Sequence, residues 1–153
     1  MFAVALQSWV TRQPRGWLSP ESDRTGLAAG PDSVLVVDDD RGVRRLTARM
    51  LRAEGYKVLE AESGVEALQA LETDRSIRLL VTDIVMPEMD GLSLADRALA
   101  RAPHLRVVLM TGHAPELTAQ LRLRDSPLPV LFKPFTAEQL LGKVRDTLAG
   151  GQH

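Results

Sequence analysis

Leu79-Leu80-Val81-Thr82-Asp83-Ile84-Val85-Met86-Pro87-Glu88-Met89-Asp90-Gly91 opens as an apolar run, stops at a carboxylate and then turns. A short apolar run bounded by turn signals reads as a strand buried on both faces, the habit of a parallel sheet. Asp83 then falls at the strand's carboxyl end, the edge where open α/β sheets bind their ligands. Pro87 lacks an amide donor and Asp90-Gly91 is turn chemistry, so a loop follows and holds the carboxylate at that edge.

Upstream, Ser33 is followed by Val34-Leu35-Val36-Val37 and then Asp38-Asp39-Asp40, a first strand tipped with acids. Val43, Leu46, Met50 and Leu51 recur at helical spacing, with Asp40 placed to cap the start and Gly55 to stop the end. Tyr56 to Ala61 suits a second strand. Ser63-Gly64-Val65-Glu66 has the capping-box pattern and opens a helix to about Leu71. Downstream of Asp83, Leu92 to Arg101 reads as helix, Arg106 to Met110 as a fourth strand with Thr111-Gly112 at its exit, and Ala114 to about Arg122 as a weaker helix. Pro127 to Phe132 is a short fifth strand. Thr136 with Gln139 offers another capping box, and Leu140, Leu141, Val144 and Leu148 mark the last amphipathic helix. Strands alternating with helices predict an α/β domain with a mostly parallel sheet between helix layers.

In such a sheet every strand's carboxyl end lies on one edge. That edge collects Asp38 and Asp39, Asp83, Thr111 and Lys133. Three converging carboxylates repel one another unless a cation sits among them. Oxygen-only ligands without His or Cys suit a hard ion, and Mg²⁺ is the natural choice. A carboxylate beside a metal, a hydroxyl and an ammonium is equipped for phosphoryl transfer, with Asp83 attacking phosphorus, Thr111 donating to an equatorial oxygen and Lys133 balancing charge. The product is an acyl phosphate.

At these residues the chain resembles the receiver domain of two-component response regulators, the CheY-like family. Val-Val-Asp38-Asp39, Thr-Asp83-Ile-Val-Met-Pro87-Glu-Met-Asp90-Gly91, Met-Thr111-Gly112 and Phe-Lys133-Pro134-Phe135 occur in the family's order, over about Ser33 to Ala149. The resemblance implies a flavodoxin-like, doubly wound five-stranded parallel sheet in the order 2-1-3-4-5 with helices on both faces. It implies Asp83 as phosphoacceptor, Asp38 and Asp39 as magnesium acids, a metal contact from the Val85 carbonyl, Thr111 as switch hydroxyl and Lys133 as phosphate partner, with a cis Lys133-Pro134 bond. The phosphodonor it implies is a phosphohistidine on a sensor histidine kinase or a histidine phosphotransfer domain. Val85 and His113 occupy positions that in this family line the path of the hydrolytic water, so both should tune the acyl phosphate's lifetime. Val130 stands where many receivers carry a switch aromatic, so a readout by ring burial is expected to be absent or altered.

The expected function is thus a phosphoacceptor signalling domain of a two-component system or phosphorelay, not an enzyme: it catalyses only its own phosphorylation and dephosphorylation. Two rivals are a receiver-like scaffold that works without phosphorylation and a magnesium-dependent aspartyl-phosphate phosphatase, in which Asp38 of the Asp38-x-Asp40 spacing would be the nucleophile. The expected organisation is a flexible extension over residues 1–32, rich in Pro and Gly and holding Trp9 and Trp17, a receiver over 33–149 and a tail over 150–153. No output domain is expected, which suits a single-domain or hybrid-kinase-type receiver signalling through contacts.

A formal net charge of -1 argues against a nucleic-acid or anionic-membrane coat. The absence of cysteine removes disulfide and thiolate chemistry and fits a reducing cytoplasm. No apolar run approaches the roughly 20 residues a membrane span needs, and Met1 to Leu6 lacks the basic start of a signal peptide. Homodimerisation through the Ala114–Arg122 helix, fifth strand and last helix is an option within the family.

Overall fold

The computed structural model describes residues 32–112 and 128–151, all of them within a compact unit running from Asp32 to His153. The expected extension up to Pro31, His113 and the expected helix from Ala114 to Arg122 lie outside the described residues. Elements follow the order β1 (Ser33–Val37), α1 (Arg41–Ala53), β2 (Lys57–Ala61), α2 (Gly64–Thr73), β3 (Ile77–Asp83), α3 (Gly91–Arg101), β4 (Arg106–Thr111), β5 (Val130–Phe132) and α4 (Ala137–Asp146).

The strands form a five-stranded sheet in the order β2-β1-β3-β4-β5, every pair parallel. This is the doubly wound, flavodoxin-like order that the resemblance implied. Side-chain alternation splits the buried residues into two clusters. Leu35, Val37, Leu80, Val107 and Leu109 face α2 and α3, where Ala67, Leu68, Leu94, Ala95 and Ala98 meet them. Val34, Val36, Leu79, Val81, Val108 and Met110 face α1 and α4 through Leu51, Leu140 and Val144. Central strands buried on both faces need no polar alternation, which is why they read as unbroken apolar runs. Each such Val or Leu contributes about 1.5–3 kcal/mol on leaving water.

Helix starts follow the chemistry of their caps. Asp40, Ser63, Asp90 and Thr136 each accept a hydrogen bond from a first-turn amide. Thr136 and Gln139 form the full capping box. The box expected at Ser63 forms only in half: Ser63 Oγ accepts from the Glu66 amide, but the Glu66 carboxylate reaches one residue further back, to the Glu62 amide at 2.7 Å. Gly55 takes φ of 101° just beyond α1, a conformation that side chains with a Cβ avoid, and so ends that helix.

Boundaries differ from expectation where tertiary bonding decides them. Tyr56 lies past the end of α1, but its amide donates back to Leu51 O at 3.2 Å instead of joining the sheet, so β2 starts at Lys57. Thr111 is still strand, held by the Lys133 amide, which donates to its carbonyl at 2.8 Å. The fifth strand is Val130–Phe132: Pro129 carries no amide to pair, and Pro127 lies outside the described residues.

Candidate functional site

β1, β3, β4 and β5 end at one edge, and their last residues meet there. Asp38 follows β1 and is fully buried; Asp83 ends β3 and is 7% exposed; Thr111 ends β4 and is fully buried; Lys133 follows β5 and is partly buried. Lys133 Nζ donates to Asp38 Oδ2 at 2.9 Å and lies 3.2 Å from Asp83 Oδ1, so one ammonium bridges two carboxylates. The Lys133-Pro134 bond is cis, as the resemblance implied. Asp39, exposed, completes an acidic cluster: one carboxylate oxygen from each of Asp38, Asp39 and Asp83 lies within 4.8 Å of the others.

The charges are unevenly matched. Burial raises the Asp83 carboxyl above its ordinary pKa; Lys133 opposes the rise, while Asp38 and Asp39 add to it. For Lys133, burial works to lower the pKa, but the Asp38 hydrogen bond and the Asp83 and Asp38 charges outweigh it, and the ammonium is held above its usual value. Burial is the largest influence on both groups: at Lys133 two anions outweigh it, whereas at Asp83 the single cation does not, and two anions add to it.

This imbalance is what a divalent cation would correct. The donors are all oxygens, with no His or Cys among them, the set that suits a hard ion such as Mg²⁺. One carboxylate oxygen from each of the three acids within 4.8 Å of the others puts three hard donors around one point, the set that would hold such an ion.

Asp38 is held at every polar atom. Its Oδ1 accepts from the Asp40 amide at 2.9 Å, its amide donates to Ala61 O at 3.3 Å, and its carbonyl accepts from Arg44 Nη1 at 2.9 Å. Asp40, by contrast, spends its carboxylate on the Val43 amide as the cap of α1, the structural role expected of it.

The loop after Asp83 is built tightly. Met86 is buried, and Met89, partly buried, packs against the core and over Gly64, so the two methionines pin the loop. The Met89 amide donates to Pro87 O at 2.7 Å, closing a three-residue turn about Glu88, whose φ is 67°. That turn is the rare, strained hand of γ-turn for a residue with a side chain. Glu88→Gly is therefore expected to raise stability by about 0.5–1 kcal/mol, the relief of φ strain exceeding glycine's added unfolded-state entropy. Thermal unfolding should show a rise of about 2–4 °C per kcal/mol, and an unchanged or lower midpoint would refute the strain.

Gly91 is the residue that sequence reading undervalued. It begins α3, and a Cβ placed on it would lie 2.2 Å from Asp83 O and 2.9 Å from Ile84 Cα. Asp90-Gly91 thus does more than turn the chain: it lets α3 start directly against the backbone of Asp83. Nothing in the sequence separates this close approach from an ordinary Asp-Gly turn.

Of the residues expected to modulate the site, Val85 is 49% exposed, two residues after Asp83. Val130 is partly buried, pairs with Leu109 and packs into the core on the α2 and α3 face. Phe132, directly opposite Thr111 in the β4–β5 register, is 46% exposed.

A doubly wound five-stranded sheet with an acidic pocket and a bridging lysine at its carboxyl edge defines a CheY-like signalling fold. The sequence profile described as Response regulator receiver domain matches residues 34–145, and the chain belongs to that family of two-component signalling. The sensor kinase CckA of Brucella abortus is 36% identical over 121 residues, which cover 78% of this chain and 13% of that protein. The response regulator receiver protein CpdR of the same organism is 37% identical over 119 residues, 75% of this chain and 95% of that protein. The transcriptional regulatory protein DctD of Rhizobium meliloti is 36% identical, and this chain spans 25% of it. Among solved structures, the receiver domain of the hybrid histidine kinase CckA superposes with a TM-score of 0.63 at 33% identity, covering 76% of this chain and 98% of that one. A receiver domain protein from Methanospirillum hungatei gives 0.71 at 28% identity, covering 78% and 95%.

Proposed function

We propose that this chain is a phosphoacceptor receiver that takes a phosphoryl group from the phosphohistidine of a sensor histidine kinase or histidine phosphotransfer domain onto Asp83. The observation that carries the reading is the Lys133 ammonium bridging Asp38 and Asp83 at 2.9 and 3.2 Å. A carboxylate oxygen of Asp83 attacks phosphorus as the phosphorus–nitrogen bond of the donor breaks and its electron pair returns to the imidazole. Lys133 already stands against the attacking group, so its charge meets the phosphoryl oxygens without costly reorganisation. Thr111, buried at the end of the adjacent strand, donates its hydroxyl to one of those oxygens. Asp38, Asp39 and Asp83, with the Val85 carbonyl, would hold Mg²⁺, whose chemistry here is charge neutralisation at the phosphoryl oxygens. Val85 and His113 tune the lifetime of the acyl phosphate, and signalling proceeds through contacts that depend on phosphorylation. A donor on the cytoplasmic side of a kinase places the chain in the cytoplasm; among the described residues no helix is long and apolar enough to cross a membrane.

The phosphatase reading is weakened by the rivals' own residues. Asp38 is fully buried with both carboxylate oxygens engaged, and Asp40 caps α1, so the Asp-x-Asp pair lacks a free nucleophile and a free acid. Acetyl phosphate with Mg²⁺ is expected to label the protein once, and Asp83→Asn to abolish the label while retaining the fold. A wild-type protein that never labels would instead support the phosphorylation-independent scaffold, and a label lost only in Asp38→Asn would support the phosphatase.

A further inference from the structure

We propose that Arg44 is a positioning residue for the metal acid Asp38, held in place by Glu60 and not merely part of a solvated basic face. The proposal rests on the reading of Asp38 as a magnesium ligand. Five arginines of α1 and its end, Arg41, Arg44, Arg45, Arg49 and Arg52, look alike in sequence, yet they do not share one environment. Arg41, Arg45 and Arg49 are exposed, whereas the Arg44 side chain is 13% exposed. Its guanidinium divides its donors between two elements: Nη1 goes to Asp38 O at 2.9 Å and Nε to Glu60 Oε1 on β2 at 3.3 Å. The second Glu60 oxygen takes Arg52 Nη1 at 3.2 Å.

The geometry gives this contact a specific task. The β1–β3 ladder ends at the pair Val37 and Thr82, so Asp38 is the first residue of its strand with no ladder partner on that side. Its carbonyl nevertheless sits in a fully buried residue, and Arg44 is the group that satisfies it. The carboxylate of the same residue is aimed by the Asp40 amide and Lys133. Rotation of the Asp38 backbone would swing that carboxylate away from Asp39 and Asp83, and the Arg44 fork, pinned to the neighbouring strand by Glu60, resists it. A planar guanidinium reaches a carbonyl and a carboxylate at fixed angles, which an ammonium cannot reproduce. Outer residues that orient metal ligands act in this way, and their loss typically weakens metal binding about 10–100-fold.

The test is a calorimetric Mg²⁺ titration of the full chain and of Arg44→Lys, Glu60→Gln and Arg52→Gln, with acetyl phosphate labelling in parallel. Arg44→Lys is expected to bind Mg²⁺ at least about tenfold more weakly, with labelling at saturating Mg²⁺ retained. Glu60→Gln, which leaves the Asp38 contact intact but loosens its anchor, should lose about threefold or more and decides the matter if Arg44→Lys does not fold. Arg52→Gln removes a Glu60 ion pair of similar length without touching Asp38, and its affinity should stay within about twofold. Wild-type affinity in both Arg44→Lys and Glu60→Gln, or an equal loss in Arg52→Gln, would overturn the positioning role while leaving the phosphoacceptor reading intact. A wild-type protein that binds no Mg²⁺ would remove the metal reading and this proposal together.

Discussion

Lys133→Met is expected to destabilise the metal-free protein by about 3 kcal/mol near neutral pH, because removing one partner of a buried ion pair leaves its counter-charges uncompensated. Methionine keeps the length of the aliphatic stem, so the loss isolates the ammonium. Asp38 is fully buried and Asp83 nearly so, and both depend on Lys133 Nζ. With the lysine gone, the influence that holds the Asp83 pKa down disappears, and burial and the Asp38 and Asp39 charges push it further above the ordinary 3.8. The sign of the pH dependence follows. A carboxyl whose folded pKa exceeds its unfolded value binds more protons in the folded state, so stability falls as pH rises from the unfolded value through the raised one, then levels off. The deficit of Lys133→Met should therefore be small in acid and full above the raised pKa. Urea unfolding at several pH values tests this, and a deficit independent of pH would mean that lost packing, not charge, is responsible. Added Mg²⁺ should stabilise the variant, since a cation among the three acids restores the missing compensation.

How much of this was legible in the sequence depends on how local the cause is. β1, β3 and β4 were readable to within two residues because strands buried on both faces must be apolar throughout, and turn residues bound them. The caps at Asp40, Ser63 and Thr136 were readable because their partners lie within three residues. The site's membership followed from topology: acids, hydroxyl and lysine at strand ends share an edge once the sheet is parallel. Strand order came from the family resemblance, since nothing in an apolar run names its neighbour. Three features escaped the sequence because distant residues cause them. The burial of Arg44 depends on Glu60, 16 residues away, and looks from α1 alone like one more surface arginine. The positive φ of Glu88 is imposed by a loop pinned at Met86 and Met89. The importance of Gly91 arises only when α3 starts against the carbonyl of Asp83.

That last contact makes Gly91→Ala the substitution expected to cost most for its size. The new methyl carbon would stand 2.2 Å from Asp83 O and 2.9 Å from Asp83 C, and these are backbone atoms of a central strand, which no rotamer change can move aside. The helix cannot easily retreat either, since the Gly91 amide donates to Ile84 O at 2.7 Å and Asp90 caps the first turn at the Ser93 amide. Overpacking ordinarily costs about 1–3 kcal/mol, and backbone overlap with bonds on both sides belongs at the top of that range or above it. A loss of about 3 kcal/mol corresponds to a drop of about 6–12 °C in thermal midpoint. Whatever relief occurs must shift either α3 or the end of β3, and the second of these carries the proposed phosphoacceptor, so acetyl phosphate labelling of the folded variant should fall as well. Gly142→Ala supplies the contrast. Gly142 lies within α4 with nothing within 4 Å of a Cβ built on it, and alanine there should stabilise by about 0.5–1 kcal/mol through helix propensity alone. Opposite shifts in the two thermal midpoints would establish that steric approach to Asp83, and no general demand for glycine, governs position 91; a Gly91→Ala protein with wild-type stability and labelling would show that α3 can slide away from the site at little cost.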